Sequence, residues 1–240
     1  MSAPARGRGR PGFGLTGPRR PRHTVRPEQL ASLALPVGDD GVVIGVDGEE
    51  RPAVLGVIRP TPYDVMLIGG LWTAQVLALR VAATGARVVV ETGRTPAWEG
   101  LVRAVGGEGC GIALHEVGRV PPQGPSAGSP VVVVRDCGIR PPRGRVTSGP
   151  WQSVVTLLPY LSPVAAGLME KSSLVGVQRV SPDEAEQIGY LMCLGSDETR
   201  ALSTLTDGVT LWCTRQDRKF VMMRATDAES GLLGSARRMD

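Results

Sequence analysis

Between Asp64 and Glu91 the hydrophobic pattern changes period twice. Val65–Ile68 is a continuous apolar run, as expected of a strand buried on both faces. Gly69-Gly70 interrupts it. In Leu71–Ala83, residues Leu71, Ala74, Leu77, Ala78 and Val81 fall on one helical face. Gly85 is placed to end that helix as its C′ residue. Val88–Val90 forms a second apolar run and ends at Glu91. The stretch therefore predicts strand, turn, helix, turn and strand, the outline of a nucleotide-binding βαβ unit.

The same reading extends along the chain. Val42–Val46 and Ala53–Ile58 are rich in β-branched residues and flank Asp47-Gly48, which predicts a hairpin. Thr95–Val105 predicts a helix, with Thr95 as N-cap, Pro96 at the first helical position and Gly106-Gly107 beyond its end. Ile112–Leu114, Val131–Val134, Ser153–Leu158 and Ser172–Val177 predict further strands, with loops at 118–130 and 141–149. Ser181-Pro182-Asp183-Glu184 has the form of a capping box and predicts a helix to about Cys193. Ser196 opens a second short helix through about Leu205. Val209–Thr214 and Phe220–Ala225 predict a closing hairpin, with an irregular end at 226–240. The expected fold is α/β, with a Rossmann-like, mostly parallel central sheet and antiparallel hairpins at both ends.

Composition divides the chain unevenly. Its 240 residues suffice for one large domain. Residues 1–27 hold seven arginines and no acid, so the formal charge of +4 belongs to them. Without them the chain is slightly acidic. We expect an Arg/Gly/Pro-rich arm at 1–27, a short helix at 27–35 and a single α/β domain from residue 28 to 240. Such an arm suits weak contact with anionic lipid or nucleic acid, but Phe13 is its single aromatic. Sequence-specific nucleic-acid recognition is therefore not expected. Aromatic content of 4% leaves the core to Val, Leu, Ala, Ile and Met. The run Val65–Leu79 is too short for a membrane span and contains its own turn. With no apolar leader either, the expected location is cytoplasmic or peripheral at the inner membrane face. The four cysteines show no Cys-x-x-Cys spacing, and the two histidines make a zinc site improbable. Cys193 and Cys213 sit in apolar runs and read as buried thiols.

Candidate chemistry centres on the βαβ unit. Gly69 and Gly70 form the turn, Thr73 lies in the first helical turn where it could donate to a phosphate, and Glu91 ends the second strand, where dinucleotide enzymes hold ribose. Leu71 stands where the fingerprint needs its middle glycine, and no Gly-Lys-Ser/Thr occurs anywhere. Asp136, after four valines, has the position of a magnesium-holding acid, but without the lysine it reads as the start of a turn at Cys137-Gly138. Cys110 with His115 and Glu116 carries no nucleophile signature, and His23 lies in the arm.

The segments Leu174–Ala185, Asp207-Gly208-Val209, Phe220-Val221-Met222 and Gly231-Leu232-Leu233-Gly234 resemble the C-terminal part of EccE-type proteins of the actinobacterial type VII (ESX) secretion apparatus. The resemblance implies a cytosolic α/β domain closed by a strand, the Ser-Pro-x-x-Ala helix and a hairpin. It also implies other secretion subunits as partners. Proteins of that family usually begin with two membrane helices, where this chain has its arginine-rich arm. The resulting expectation is a non-catalytic secretion component acting through protein contacts, not an enzyme, with no cofactor. The alternatives are a Rossmann-like enzyme or sensor taking a nucleotide-type ligand at Gly69-Gly70, and a nucleic-acid-associated protein using the arm.

Overall fold

The computed structural model describes residues 41–105, 111–142 and 146–237. The arm at 1–27, the short helix at 27–35, His23 and Cys110 lie outside them. The described residues form ten strands and six helices. The strands are β1 (Val42–Val46), β2 (Pro52–Leu55), β3 (Tyr63–Ile68), β4 (Arg87–Thr92), β5 (Ile112–Glu116), β6 (Val131–Asp136), β7 (Gln152–Leu158), β8 (Leu174–Val177), β9 (Val209–Cys213) and β10 (Arg218–Met222). The helices are α1 (Leu71–Ala83), α2 (Thr95–Val105), α3 (Ala165–Lys171), α4 (Pro182–Met192), α5 (Ser196–Leu202) and α6 (Asp227–Leu233).

All ten strands join one sheet in the order β2-β1-β10-β9-β8-β3-β7-β6-β4-β5. From β8 to β5 every pairing is parallel. From β8 back to β2 every pairing is antiparallel. The α/β, mostly parallel architecture is thus present, and the hairpins from the two ends of the chain gather side by side at one edge. A dinucleotide-binding sheet keeps its first two strands adjacent. Here β7 and β6 stand between β3 and β4, which separates those two by about 14 Å at ordinary strand spacing.

Alternating side chains divide the core into two layers. Val65 and Leu67 face α1 and α2, in a cluster that includes Trp72, Trp98 and Leu101. Met66 and Ile68 face the other way, toward α3, α4 and α5, with Met169, Ile188 and Leu202. Over β4, β6 and β7 the apolar cluster of this second face holds no helix residue among the described residues: Val89, Val131, Val133 and Val154 pack against Val120 and Val146 from loops.

Several boundaries differ from expectation for local reasons. Ser172 is the C-cap of α3, so the next strand starts at Leu174. The helix α3 itself was not expected. Residues 227–233 are helical because Thr226 and Glu229 form a capping box. Cys193 is exposed, not buried, because it occupies the left-handed C-cap of α4 with φ 53°. Cys213 is buried, and burial pushes its thiol up to about 12. Gly85 has φ 87°, the left-handed conformation expected just after α1.

Candidate functional site

The carboxyl ends of β3, β7 and β8 open into a cleft of about 470 Å³. Gly69, Gly70 and Leu71 line it after β3, Pro159 and Tyr160 after β7, and Arg179, Val180, Ser181 and Glu184 after β8. Arg94 reaches it from the end of β4. The connection from β3 leads toward β4 on one side, while β8 lies on the other. Crevices of this kind, at a reversal of strand order, are the usual ligand sites of open α/β sheets. A larger cavity of about 810 Å³ lies at the antiparallel edge, lined by Ile44, Leu55, Arg59 and Trp212 among others. The smaller cleft is the one that receives strand ends and helix starts.

The helix start is closed by a side chain. The turn between β3 and α1 is only Gly69-Gly70, shorter than any Gly-x-x-x-x-Gly-Lys phosphate loop. Gln178, just past β8, accepts a hydrogen bond from the Gly70 N–H at 2.7 Å through its Oε1. Its Nε2 donates to Thr73 Oγ1 at 2.7 Å. A Cβ added to Gly69 would lie 2.5 Å from that Oε1, so the close approach of Gln178 requires glycine there. Gln178 is buried, and it caps α1 without adding charge; α1 has no acid in its first turn. The positive end of the helix dipole therefore lies beside the cleft with no acid in its own first turn.

Arg94 and Asp136 form the second feature. Asp136 is buried at the end of β6. Its Oδ2 accepts from Arg94 Nε at 2.9 Å, Thr92 Oγ1 at 3.0 Å and Trp98 Nε1 at 2.9 Å. Its Oδ1 accepts from Arg94 Nη2 at 3.0 Å and from Arg94 Nε at 3.2 Å. This fork fixes the Arg94 guanidinium at the mouth of the cleft. Arg179 also lines the cleft and pairs with Asp207 at 3.1 Å. The Glu184 carboxylate accepts from the Ser181 and Leu161 backbone N–H groups, which joins the start of α4 to the loop after β7.

Of the four residues expected to share a ligand, Gly69, Gly70 and Thr73 gather around Gln178, and Glu91 lies apart. Gly69 and Gly70 border the cleft. Thr73 is fully buried and bound to Gln178. Glu91 is also fully buried, paired with Arg135 Nε at 2.6 Å and accepting from the Gly118 N–H at 2.7 Å. Burial pushes the Glu91 carboxyl up, but the Arg135 and Gly118 hydrogen bonds outweigh that and hold it below its ordinary value. Its geometry ties β4 to β6 and to a loop. Cys137 is likewise unsuited to thiolate chemistry, since burial and the nearby Glu91 charge push its thiol up to about 12. Arg94 and Gln178 were missed in sequence. Their signal is a polar residue just after an apolar strand, at the edge where α/β ligands bind.

No family model matches the chain, and no curated protein matches it in sequence. Solved structures do. VirB4 of Thermoanaerobacter pseudethanolicus superposes with a TM-score of 0.52 at 10% identity, over 79% of this chain and 98% of that one. The genome packaging NTPase B204 of Sulfolobus turreted icosahedral virus 2 gives 0.46 at 8% identity, over 70% and 99%. A protein described as an ATPase gives 0.46 at 13% identity, over 89% and 95%. Two expectations are corrected by the likeness to VirB4, those of a non-catalytic component acting through protein contacts and of a chain that is not an enzyme. They treated the βαβ unit as an isolated frame, whereas the likeness to VirB4 extends over 79% of the chain. At these identities the likeness establishes the fold: this chain is built on the α/β architecture it has in common with VirB4.

Proposed function

We propose that this protein is a nucleotide-binding enzyme of the ATPase type, taking a phosphate-bearing ligand in the cleft at the ends of β3, β7 and β8. The observation that carries the reading is the convergence there of the α1 N-terminus with the anchored Arg94 guanidinium. Phosphoryl transfer depends on positioning and charge stabilisation more than on covalent chemistry, and fixed cations at a strand-end crevice provide for both. Gly69 contributes by admitting Gln178, whose amide holds the turn at the start of α1. Thermal melts of the full chain with ATP, ADP, GTP and inorganic pyrophosphate test the reading. A ligand at ten- to hundredfold saturation should add roughly 1.4–2.7 kcal/mol of stability. Phosphate release from ATP would then establish turnover. Absence of any saturable shift rejects the proposal.

The setting we infer from the C-terminal resemblance is a type VII secretion apparatus, with its other subunits as partners. The run Leu174–Ala185, one of the segments that carry the resemblance, forms β8, includes Gln178 and opens α4. Affinity purification of the full chain from its native host should recover such subunits; a preparation containing none rejects the setting.

A further inference from the structure

A nucleotide-hydrolysing fold ordinarily holds magnesium with a strand-end acid, and by position that acid is Asp136, at the end of β6. The residues here do not fit a metal. Magnesium demands oxygen ligands in near-octahedral array at about 2.0–2.1 Å. Both Asp136 oxygens are instead surrounded by donors: the Arg94 fork, the Thr92 hydroxyl and the Trp98 indole N–H. A cation approaching the carboxylate would have to displace Arg94 and would still face the indole N–H, a donor without lone pairs to offer. The indole cannot retreat readily, because Trp98 is fully buried. Arg94 thus occupies the place of the cation, and it uses Nε and Nη2 to do so. Its Nη1 makes no hydrogen bond among the described residues.

We infer that ligand binding in this cleft is independent of divalent metal, with Arg94, positioned by Asp136, supplying the fixed positive charge to the ligand's phosphate. The inference rests on the nucleotide reading above. A guanidinium held on one edge by a carboxylate keeps its remaining donors in a set direction, which favours bidentate contact with two oxygens of a phosphate. Lysine could not replace it, since a point charge on a flexible stem cannot hold the carboxylate fork and a phosphate together.

Calorimetric titration of the full chain with ADP and ATP, in magnesium and again in excess EDTA, tests this. The dissociation constant should agree between the two conditions within about twofold, a difference of roughly 0.4 kcal/mol. Arg94→Ala should weaken binding about tenfold or more, and Arg94→Lys should fail to restore it. Arg94→Ala alone leaves a buried carboxylate unpaired and threatens folding. The double variant Arg94→Ala/Asp136→Asn removes both charges, and its binding should be weakened equally. Binding that strengthens tenfold or more with magnesium overturns the inference while leaving the nucleotide reading intact. So does unchanged binding by the double variant. Absence of nucleotide binding in both conditions overturns the inference and the reading together.

Discussion

Gln178 shows how one amide can change the use of a helix start. Its carbonyl takes the Gly70 N–H and its amino group takes the Thr73 hydroxyl, so both its polar ends are matched inside a buried site. Truncation leaves the Gly70 N–H and Thr73 hydroxyl unsatisfied. We expect Gln178→Ala to destabilise the protein by about 1–3 kcal/mol, read as a drop in the urea midpoint at unchanged slope. A loss below about 0.5 kcal/mol would mean water replaces the amide at little cost. The Glu91–Arg135 pair is more demanding, with both side chains buried and Arg135 also donating to the Pro142 carbonyl at 2.7 Å. Arg135→Ala strands the Glu91 charge and should cost about 3–5 kcal/mol. A double variant with both residues made apolar should recover much of that, and failure to recover would show that the loop contacts matter more than the charge.

Among the elements, α6 depends on contacts distant in sequence. Its cap residue Thr226 accepts from the Glu229 N–H, and Glu229 returns the bond to the Thr226 N–H. The same carboxylate receives a two-pronged bond from Arg80 of α1 at 2.7 and 2.8 Å. The Trp72 indole donates to the Gly234 carbonyl at 3.1 Å, just past the helix. Thr226→Ala removes only the cap and should cost about 1 kcal/mol. Glu229→Ala removes cap and pair together and should cost several times more; equal losses would place the stability in the cap alone. In β8 a different constraint operates. A Cβ on Gly176 would come within 2.7 Å of Trp212 Cζ3, an atom of a buried ring. Gly176→Ala should therefore destabilise by about 1–3 kcal/mol through overpacking. A neutral result in thermal unfolding would show that the ring can shift.

At the scale of the molecule, the two buried glutamates among the described residues both have depressed carboxyls and stand on different elements, Glu91 on β4 and Glu229 on α6. For Glu229, burial raises the carboxyl, but the Arg80 hydrogen bond and the Thr226 N–H outweigh it, so the net direction is downward. The unfolded chain protonates these groups near their ordinary value of about 4.3, and the folded protein does so only at lower pH. Below that value the unfolded state binds more protons, and stability falls as pH falls. The contribution is present in full near neutrality and is lost as pH drops through the folded values. Glu91→Gln should flatten the decline of denaturant midpoint between about pH 5 and pH 3. An unchanged slope would assign acid sensitivity to other carboxyls.

Much of the local structure is legible in the chain because its causes are local. The apolar run Val65–Ile68, the face made by Leu71, Ala74 and Leu77, and the box Ser181-Pro182-Asp183-Glu184 each contain the information that shapes them. The box at Thr226–Glu229 was equally local and was passed over because the residues around it carry little apolar periodicity. Adjacency is another matter. Glu91 has the right spacing from Gly69-Gly70 for a ribose contact, yet spacing along a chain says nothing about which strands enter between two others. The insertion of β7 and β6 places Glu91 beside Arg135, and the arrival of β8 at β3 brings Gln178 to the helix start. Asp136 and Arg94 are 42 residues apart, and only the pairing of β4 with β6 makes them a fork. Strand and helix identities follow from period and capping, which act over a few residues. The cleft and its charges arise from the order of the strands, which the packing of the whole sheet selects.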